Sequence, residues 1–320
     1  MVINNIKKYD IVGIGNAIVD LIAEVDEEYL KKNNIRKGSM ALLDFASINK
    51  LGSDVKIVKT ISGGSAANTI VNISQQNLKT AFIGKVSNDD LGNEFAEGLR
   101  KEKVKFEITE TKSSNQTARC LILVSPDAER SMNTYLGISQ ELSEQDVDMN
   151  IIKDSSILYL EGYLWDLDDA KKAITKSILK AQDCETMIAF SISDAFCVNR
   201  FRDEFYHIVN NSADIIFANE LEIKSLFSTD KLEEAIHKCQ EIGKIFAITL
   251  GDKGAKLVHG KIIIDVKAEE IENLVDTTGA GDLFAAGFLA EYIKSQDLYR
   301  CLNRGVKMSS IIIQKFGARI

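Results

Sequence analysis

A single proline, Pro126, is all that the 320 residues contain, so no Pro-rich linker marks a domain boundary. Histidine is nearly as scarce. His207, His237 and His259 are not spaced as metal ligands, which leaves zinc chemistry and a Ser-His-Asp hydrolase without support. The five cysteines, Cys120, Cys184, Cys197, Cys239 and Cys301, include no CxxC pair. An odd, scattered set with no leader segment predicts reduced thiols in a cytoplasm, mostly serving as small core residues. The opening "MVINNIKKYDIVGIG" lacks the apolar stretch of a signal peptide, and no run reaches the length of a membrane span. A cytoplasmic protein without a membrane partner is the expectation. Positive charge is thin too: the net charge is −8, with Lys and Arg spread along the chain and no dense block. Holding a nucleic-acid backbone needs a clustered basic surface, so no nucleic-acid partner is expected. A small phosphorylated ligand needs only a few local donors and stays open.

What is present is the mixture of a soluble globular protein, 45% hydrophobic and 27% charged, with room for a sizeable core. Strand-like runs recur at 9–15, 80–86, 156–162, 186–192, 213–219 and 244–250. Segments of helical period lie between or after them, at 65–77, 89–102, 168–182, 199–210, 219–227, 231–242, 282–294 and 298–314. Continuous apolar strands separated by amphipathic helices predict an α/β fold, a doubly wound and mostly parallel sheet with helices on both faces. Such a sheet binds ligands at the carboxyl ends of its strands. Two stretches break the rhythm, 21–45 and 116–137, where strand-like runs surround turn residues. The second reads as a hairpin with "SPDAE" at its tip, and together they can form a small sheet projecting from the main one.

Five short motifs carry polar chemistry. In "VDTTGAGDLFAAGFL" (275–289), Gly279 and Gly281 let the backbone turn and aim its N–H groups together, ahead of an apolar helix. A helix start of this kind attracts an anion, so a carboxylate there, Asp282, needs a use. Phosphoryl transfer supplies one, because a carboxylate beside the incoming group can take the proton of the attacking hydroxyl. The plainer alternative is a first-turn carboxylate stabilised by the helix dipole. "ISGGSAANT" (61–69) places Gly63 and Gly64 before a helix, with Ser65 and Asn68 as hydroxyl partners or as simple caps. "GIGNAIVDL" (13–21) fails as a dinucleotide fingerprint because Ile18 occupies the third glycine position, which weakens an NAD-dependent dehydrogenase. It leaves Asn16 and Asp20 past a strand end, ready for sugar hydroxyls or for a turn. "ANELEIKSL" (218–226) offers Asn219 and Glu222 either as a capping box or as an amide and carboxylate suited to water-bound magnesium. "TLGDKGAKL" (249–257) gives Thr249, Gly251 and Gly254 for a ribose-phosphate or a plain hairpin turn.

Taken in order, these motifs resemble the PfkB, or ribokinase-like, family of carbohydrate and nucleoside kinases. "DTTGAGD" matches its C-terminal signature, "GGSAANT" resembles its N-terminal one, "NELE" its N-x-x-E motif and "GIGNAIVD" its substrate segment. The likeness runs from about residue 9 to about 317. It implies a single ribokinase-like kinase domain over 1–320, with a lid formed by about 17–46 and 113–138 whose closure excludes water. It implies Asp282 as catalytic base, the Gly279, Ala280 and Gly281 backbone as an anion hole, and Arg130 as a lid arginine near the phosphates. The acceptor would meet Asn16, Asp20, Gly63, Gly64, Ser65 and Asn68. ATP would meet Asn219, Glu222, Thr249, Gly251, Gly254 and Thr277, with Mg2+ organised by Glu222 through water; K+ is a further cofactor of some relatives. "NAIVD", "GYLWD" and "SDAF" resemble the adenosine-phosphorylating branch, which sets Phe196 against a purine with Tyr163 or Leu164 nearby, unless Phe196 and Trp165 are core aromatics. The expected activity is ATP-dependent phosphorylation of the adenosine 5′-hydroxyl to give AMP, as in purine salvage. The alternatives are another sugar or nucleoside kinase of the same fold and a non-catalytic nucleoside-binding protein. A monomer and a homodimer both stay open, and the short "FGARI" behind the last helix is not counted on for the adenine pocket or a cation site.

Overall fold

The computed structural model describes residues 7–127 and 129–320. In chain order its strands are β1 (Tyr9–Ile14), β2 (Ile18–Glu24), β3 (Met40–Leu42), β4 (Ile57–Gly63), β5 (Thr80–Ile83), β6 (Ala118–Val124) and β7 (Arg130–Tyr135). β8 (Ser155–Glu161), β9 (Met187–Ser191), β10 (Ile215–Asn219), β11 (Ile245–Thr249), β12 (Ala255–His259) and β13 (Ile262–Val266) follow. Eight of them form one sheet in the order β13-β12-β11-β10-β9-β8-β1-β5. The six from β11 to β5 run parallel, and β12 and β13 close one edge as an antiparallel hairpin.

Strand alternation divides the core in two. Val12, Ile14, Leu158 and Leu160 face one side, where they meet helices Asp168–Asp183, Arg202–Asn211 and Leu232–Ile242. Ile11, Ile157 and Tyr159 face the other, with helices Ser65–Ser74, Asp90–Lys101, Ala280–Ser295 and Leu298–Ile312. Burial on both faces explains why these strands read as unbroken apolar runs. The helix Ala280–Ser295 is buried from Leu283 through Ala290, because Leu298–Ile312 covers one flank and Ser65–Ser74 another. The expected segment at 199–210 is two helices, Ala195–Arg200 and Arg202–Asn211, parted at Phe201 where the backbone leaves helical geometry.

A second sheet, in the order β3-β7-β6-β2-β4, stands beside the first. The expected hairpin is β6–β7, pairing Val124 with Arg130 across the tip. Residues 21–45 are more than strand-like runs. Asp26 caps a helix at Glu27–Lys32, with Glu27 and Glu28 in its first turn and Lys31 and Lys32 in its last, the charge order that a helix dipole favours. One face of the sheet, with Ala23, Leu121 and Leu123, packs on Leu30 and Ile48. Its other face is turned to the site.

Candidate active site

Because β1 and β8 to β11 are parallel, their carboxyl ends share one edge of the main sheet. A cavity of about 420 Å3 opens there, with the strand-end residues Ser191, Asn219 and Thr249 in its wall. The second sheet supplies the opposite wall through Ile18 and Asp20 of β2, Cys120 and Ile122 of β6, and Met132 and Thr134 of β7. Each pair is two residues apart, so both members point the same way, and Asp20, Cys120 and Thr134 are paired across the strands. A second cavity of about 460 Å3 adjoins the first and shares Thr249, Thr277, Ala280, Gly281 and Phe284 with it. It continues past Gly251 and Gly254 to apolar walls that include Ile271, Leu274, Val306 and Ile313. A larger groove, about 830 Å3, lies at the opposite, amino end of β1 and β5, lined by Lys8, Lys79, Arg100 and Lys101. No carboxyl end of a strand and no glycine turn reaches it.

Where the two cavities meet, Gly279 caps the helix Ala280–Ser295 with φ +78°, and a side chain there would come within 2.5 Å of Ala318. Only glycine suits that turn. Among the described residues, the N–H groups of Gly281 and Asp282 donate to no protein acceptor, the usual state of a helix start. Asp282 stands beside them. Its carboxylate accepts from Ser65 Oγ at 2.7 Å and from Asn68 Nδ2 at 3.2 Å. Burial pushes Asp282 up to about 6, against the pull of Ser65, Asn68 and Arg319. The residue still reaches the cavity, so water screens part of this rise.

The Asp20 carboxylate faces the same space without accepting a hydrogen bond from any described residue. Burial lifts it to about 7, with Arg319 and Arg130 opposing and Asp282 adding. Gly64, at φ +95°, brings the start of helix Ser65–Ser74 so close to the Asn16 carbonyl that a side chain would lie 2.2 Å from it. Gly63 pairs with Ile18 and leaves room for the Asp20 carboxylate. Asn219 and Glu222 do form a capping box, with Glu222 N–H donating to Asn219 Oδ1 and Asn219 N–H to Glu222 Oε2, each at 2.9 Å. Both also line the first cavity, where burial pushes Glu222 up to about 7.

Three expected residues sit elsewhere. Phe196 is 65% exposed, with the Arg200 guanidinium over its ring, and lines neither cavity, whereas Tyr163 lines the first. Asn16 lies behind the wall, donating through its N–H and Nδ2 to Glu161 Oε1. Arg130 is buried against Asp276, Nη1 to Oδ2 at 2.7 Å, so the hairpin is tied to the glycine turn rather than open to the cavity. Trp165 and Leu164 are core residues. Sequence reasoning passed over Glu161, Asp276 and Arg319. Glu161 ends β8 and accepts from Asn16 and from the Ala66 N–H at 2.7 Å, joining two motifs; burial lifts it to about 7. A carboxylate closing a parallel strand was a readable signal. Arg319 had none, since its place depends on how residues beyond Ile312 turn back.

Residues 10–320 match the family model described as pfkB family carbohydrate kinase. The chain belongs to this family. A structure of adenosine kinase from Sinorhizobium meliloti is 39% identical with TM-score 0.89, over 98% of this chain and 96% of that one. A probable sugar kinase from Rhizobium etli is similar to the same degree, 39% identical with TM-score 0.89, over 98% and 95% of the two chains. Adenosine kinase from Saccharomyces cerevisiae is 25% identical over 96% of this chain and 95% of its own. The expected doubly wound, ribokinase-like architecture of a pfkB kinase is the one found. Among the described residues, no helix is long and apolar enough to cross a membrane, and no three His, Cys, Asp or Glu side chains are grouped to hold a metal.

Proposed function

We propose that this pfkB-family kinase transfers the γ-phosphoryl group of ATP to the 5′-hydroxyl of adenosine, giving AMP in a cytoplasmic purine-salvage step. The observation that carries the reading is Asp282 at the joint of two cavities, hydrogen-bonded to Ser65 and Asn68 and beside two unpartnered amides. Adenosine occupies the cavity bounded by the second sheet. Asp20, whose lone pairs are free, and Asn68 hold the ribose hydroxyls, and Ile122, Met132 and Tyr163 bracket the flat base. Phe196 takes no part. ATP lies in the adjoining cavity, its adenine among Ile271, Leu274, Val306 and Ile313, its phosphates toward Thr277 and the glycine turn.

Asp282 accepts the proton of the 5′-hydroxyl as the oxygen attacks, and the Gly281 and Asp282 amides face the charge on the transferred group. Positioning and electrostatics carry most of the acceleration. Both Glu222 oxygens already accept from Asn219, so the carboxylate suits magnesium through water rather than directly. Magnesium bound with the phosphates would neutralise their charge. The second sheet serves as the lid, tethered by the Arg130–Asp276 pair. Met40 and Leu42 stand exposed on edge strand β3, which favours pairing of two copies there; sedimentation equilibrium of L42D against the unaltered protein decides it.

A sugar kinase is the second reading, favoured by the Rhizobium etli relative. ADP release measured with adenosine, inosine, cytidine, ribose and fructose, each with and without K+, separates the two. A dominant rate with adenosine supports the proposal, and a dominant rate with a free sugar overturns it. Adenosine binding in calorimetry with no turnover of any acceptor would mark a non-catalytic binder.

A further inference from the structure

One buried cation has no part in the reading above. Arg319 belongs to a segment, Gly317–Ile320, wedged between the glycine turn and the helix Ser65–Ser74. Gly317 N–H donates to Asp276 Oδ2 at 3.0 Å, and Asn72 Nδ2 donates to the Ala318 carbonyl at 3.0 Å. Ala318 fills the space that a side chain on Gly279 would need. Held there, Arg319 donates from Nε to Asn68 Oδ1 at 3.1 Å and from Nη1 to Ser62 Oγ at 2.7 Å. Its Nη2 is buried without a partner.

The geometry settles an ambiguity in Asn68. A carboxamide can turn over and exchange its oxygen for its NH2 group. A guanidinium only donates, so it can meet the amide oxygen alone. With Oδ1 held by Arg319, Nδ2 must face the other way, and it donates to Asp282 Oδ2 at 3.2 Å. Without the guanidinium, the flipped amide would set its oxygen against the carboxylate.

We infer that Arg319 is a positioning residue of the transfer site: it locks the Asn68 amide with its N–H toward Asp282 and supplies the positive charge that keeps that carboxylate ionised. This rests on the reading of Asp282 as base. The groups facing Asp282 are Ser65 and Asn68 from the neighbouring helix, Asp20 from β2, Tyr159 and Glu161 from β8, Tyr163 just beyond, and Arg319. Asp20 and Glu161 would push Asp282 up wherever they are charged, while burial raises Tyr159 and keeps it neutral. Arg130, paired with Asp276, pulls on Asp20 rather than on Asp282. Arg319 is the cation that offsets burial at Asp282 and at Asp20; burial lowers its own value to about 10, which still leaves it charged.

The test compares the unaltered protein with R319M and R319K. Removing the charge raises Asp282, so the acid limb of kcat/KM against pH must move upward in R319M by about one pH unit or more. At pH 6 the variant then loses about fivefold more kcat/KM than at pH 8.5, or more if the limb moves further. R319K keeps the charge and loses the fork, so its limb stays near that of the unaltered protein while the acceptor KM rises. A merely structural arginine would lower kcat/KM evenly across pH in R319M, and an unmoved limb overturns the inference. If R319M does not fold, R319K alone decides: an unmoved acceptor KM overturns it. Carbon-13 NMR titration of the aspartate carboxyls, with the Asp282 signal assigned from D282N, gives the same answer without turnover. An Asp282 midpoint higher in R319M supports the inference, and an unchanged one refutes it. Absence of turnover with every nucleoside and sugar would instead sink the proposed function, while the titration would still judge Arg319.

Discussion

Replacing Asp282 with asparagine separates a working base from an ordinary first-turn carboxylate, because the two differ in the sign of the stability change. Asn keeps the size and can still accept from Ser65, but it cannot take a proton. Loss of a general base lowers kcat by about 10²- to 10⁴-fold, some 3 to 5 kcal/mol of barrier. The carboxyl has been moved from 3.8 to about 6, chiefly by burial. At about 1.4 kcal/mol per pH unit, that is roughly 3 kcal/mol of disfavour for the charge, and cavity water reduces it to about 1–2. An acid whose folded value is raised binds its proton more tightly when folded. Its stability penalty therefore grows as pH rises from about 4 to about 6 and is complete above that. D282N escapes the penalty and gives back part of it through its weaker meeting with Asn68. The variant should melt a degree or a few higher at pH 8, with the difference closing toward pH 4. A carboxylate present only to match the helix dipole would instead cost about 0.3–1 kcal/mol when neutralised. Scanning calorimetry at pH 4, 6 and 8, with coupled ADP release on the same samples, reads both quantities. A variant that melts lower at pH 8 and retains a tenth or more of its turnover would refute the reasoning.

The two glycines of the turn should part company. G279A, strained at φ +78° and pressed on Ala318, should lose about 1–3 kcal/mol in denaturant unfolding. G281A meets nothing within 4 Å and sits in a helix, so it should fold with equal or slightly greater stability, yet turn over slowly because its methyl enters the space beside the amides. R130M leaves Asp276, a side chain only 6% exposed, with two backbone N–H donors but no counter-charge, and should cost about 3 kcal/mol, seen as a melting point lower by roughly 5–10 °C. F196A should leave the acceptor KM within about twofold, as for other exposed side chains; a larger rise would return that ring to the base pocket.

The parts that sequence made legible were those set by local rules. Six strands buried on both faces left unbroken apolar runs, and the helices between them kept their period. The second sheet was harder. β2 alternates burial imperfectly, and β4 ends at Gly63, within the glycine pair that announces the following helix, so β4 was not foreseen as a strand. Asp282, Ser65, Asn68, Asn219 and Thr249 sit at helix starts and strand ends, places that short motifs mark. Asn219 and Glu222 met both of their alternatives, capping each other while lining the cavity. The exposed position of Phe196 was not legible because a six-residue helix has too little period to tell its inner face from its outer one. Glu161 and Arg319 act through partners 95 and 251 residues away, a separation over which no local pattern reports.

The most direct test of the central claim is a crystal structure with adenosine and a non-hydrolysable ATP analogue bound together. The account predicts the 5′-oxygen within hydrogen-bond reach of the Asp282 carboxylate, about 2.6–3.2 Å, and the terminal phosphate against the Gly281 and Asp282 amides. A nucleoside bound with its 5′-oxygen out of reach of Asp282, or phosphates lodged away from the glycine turn, would contradict it.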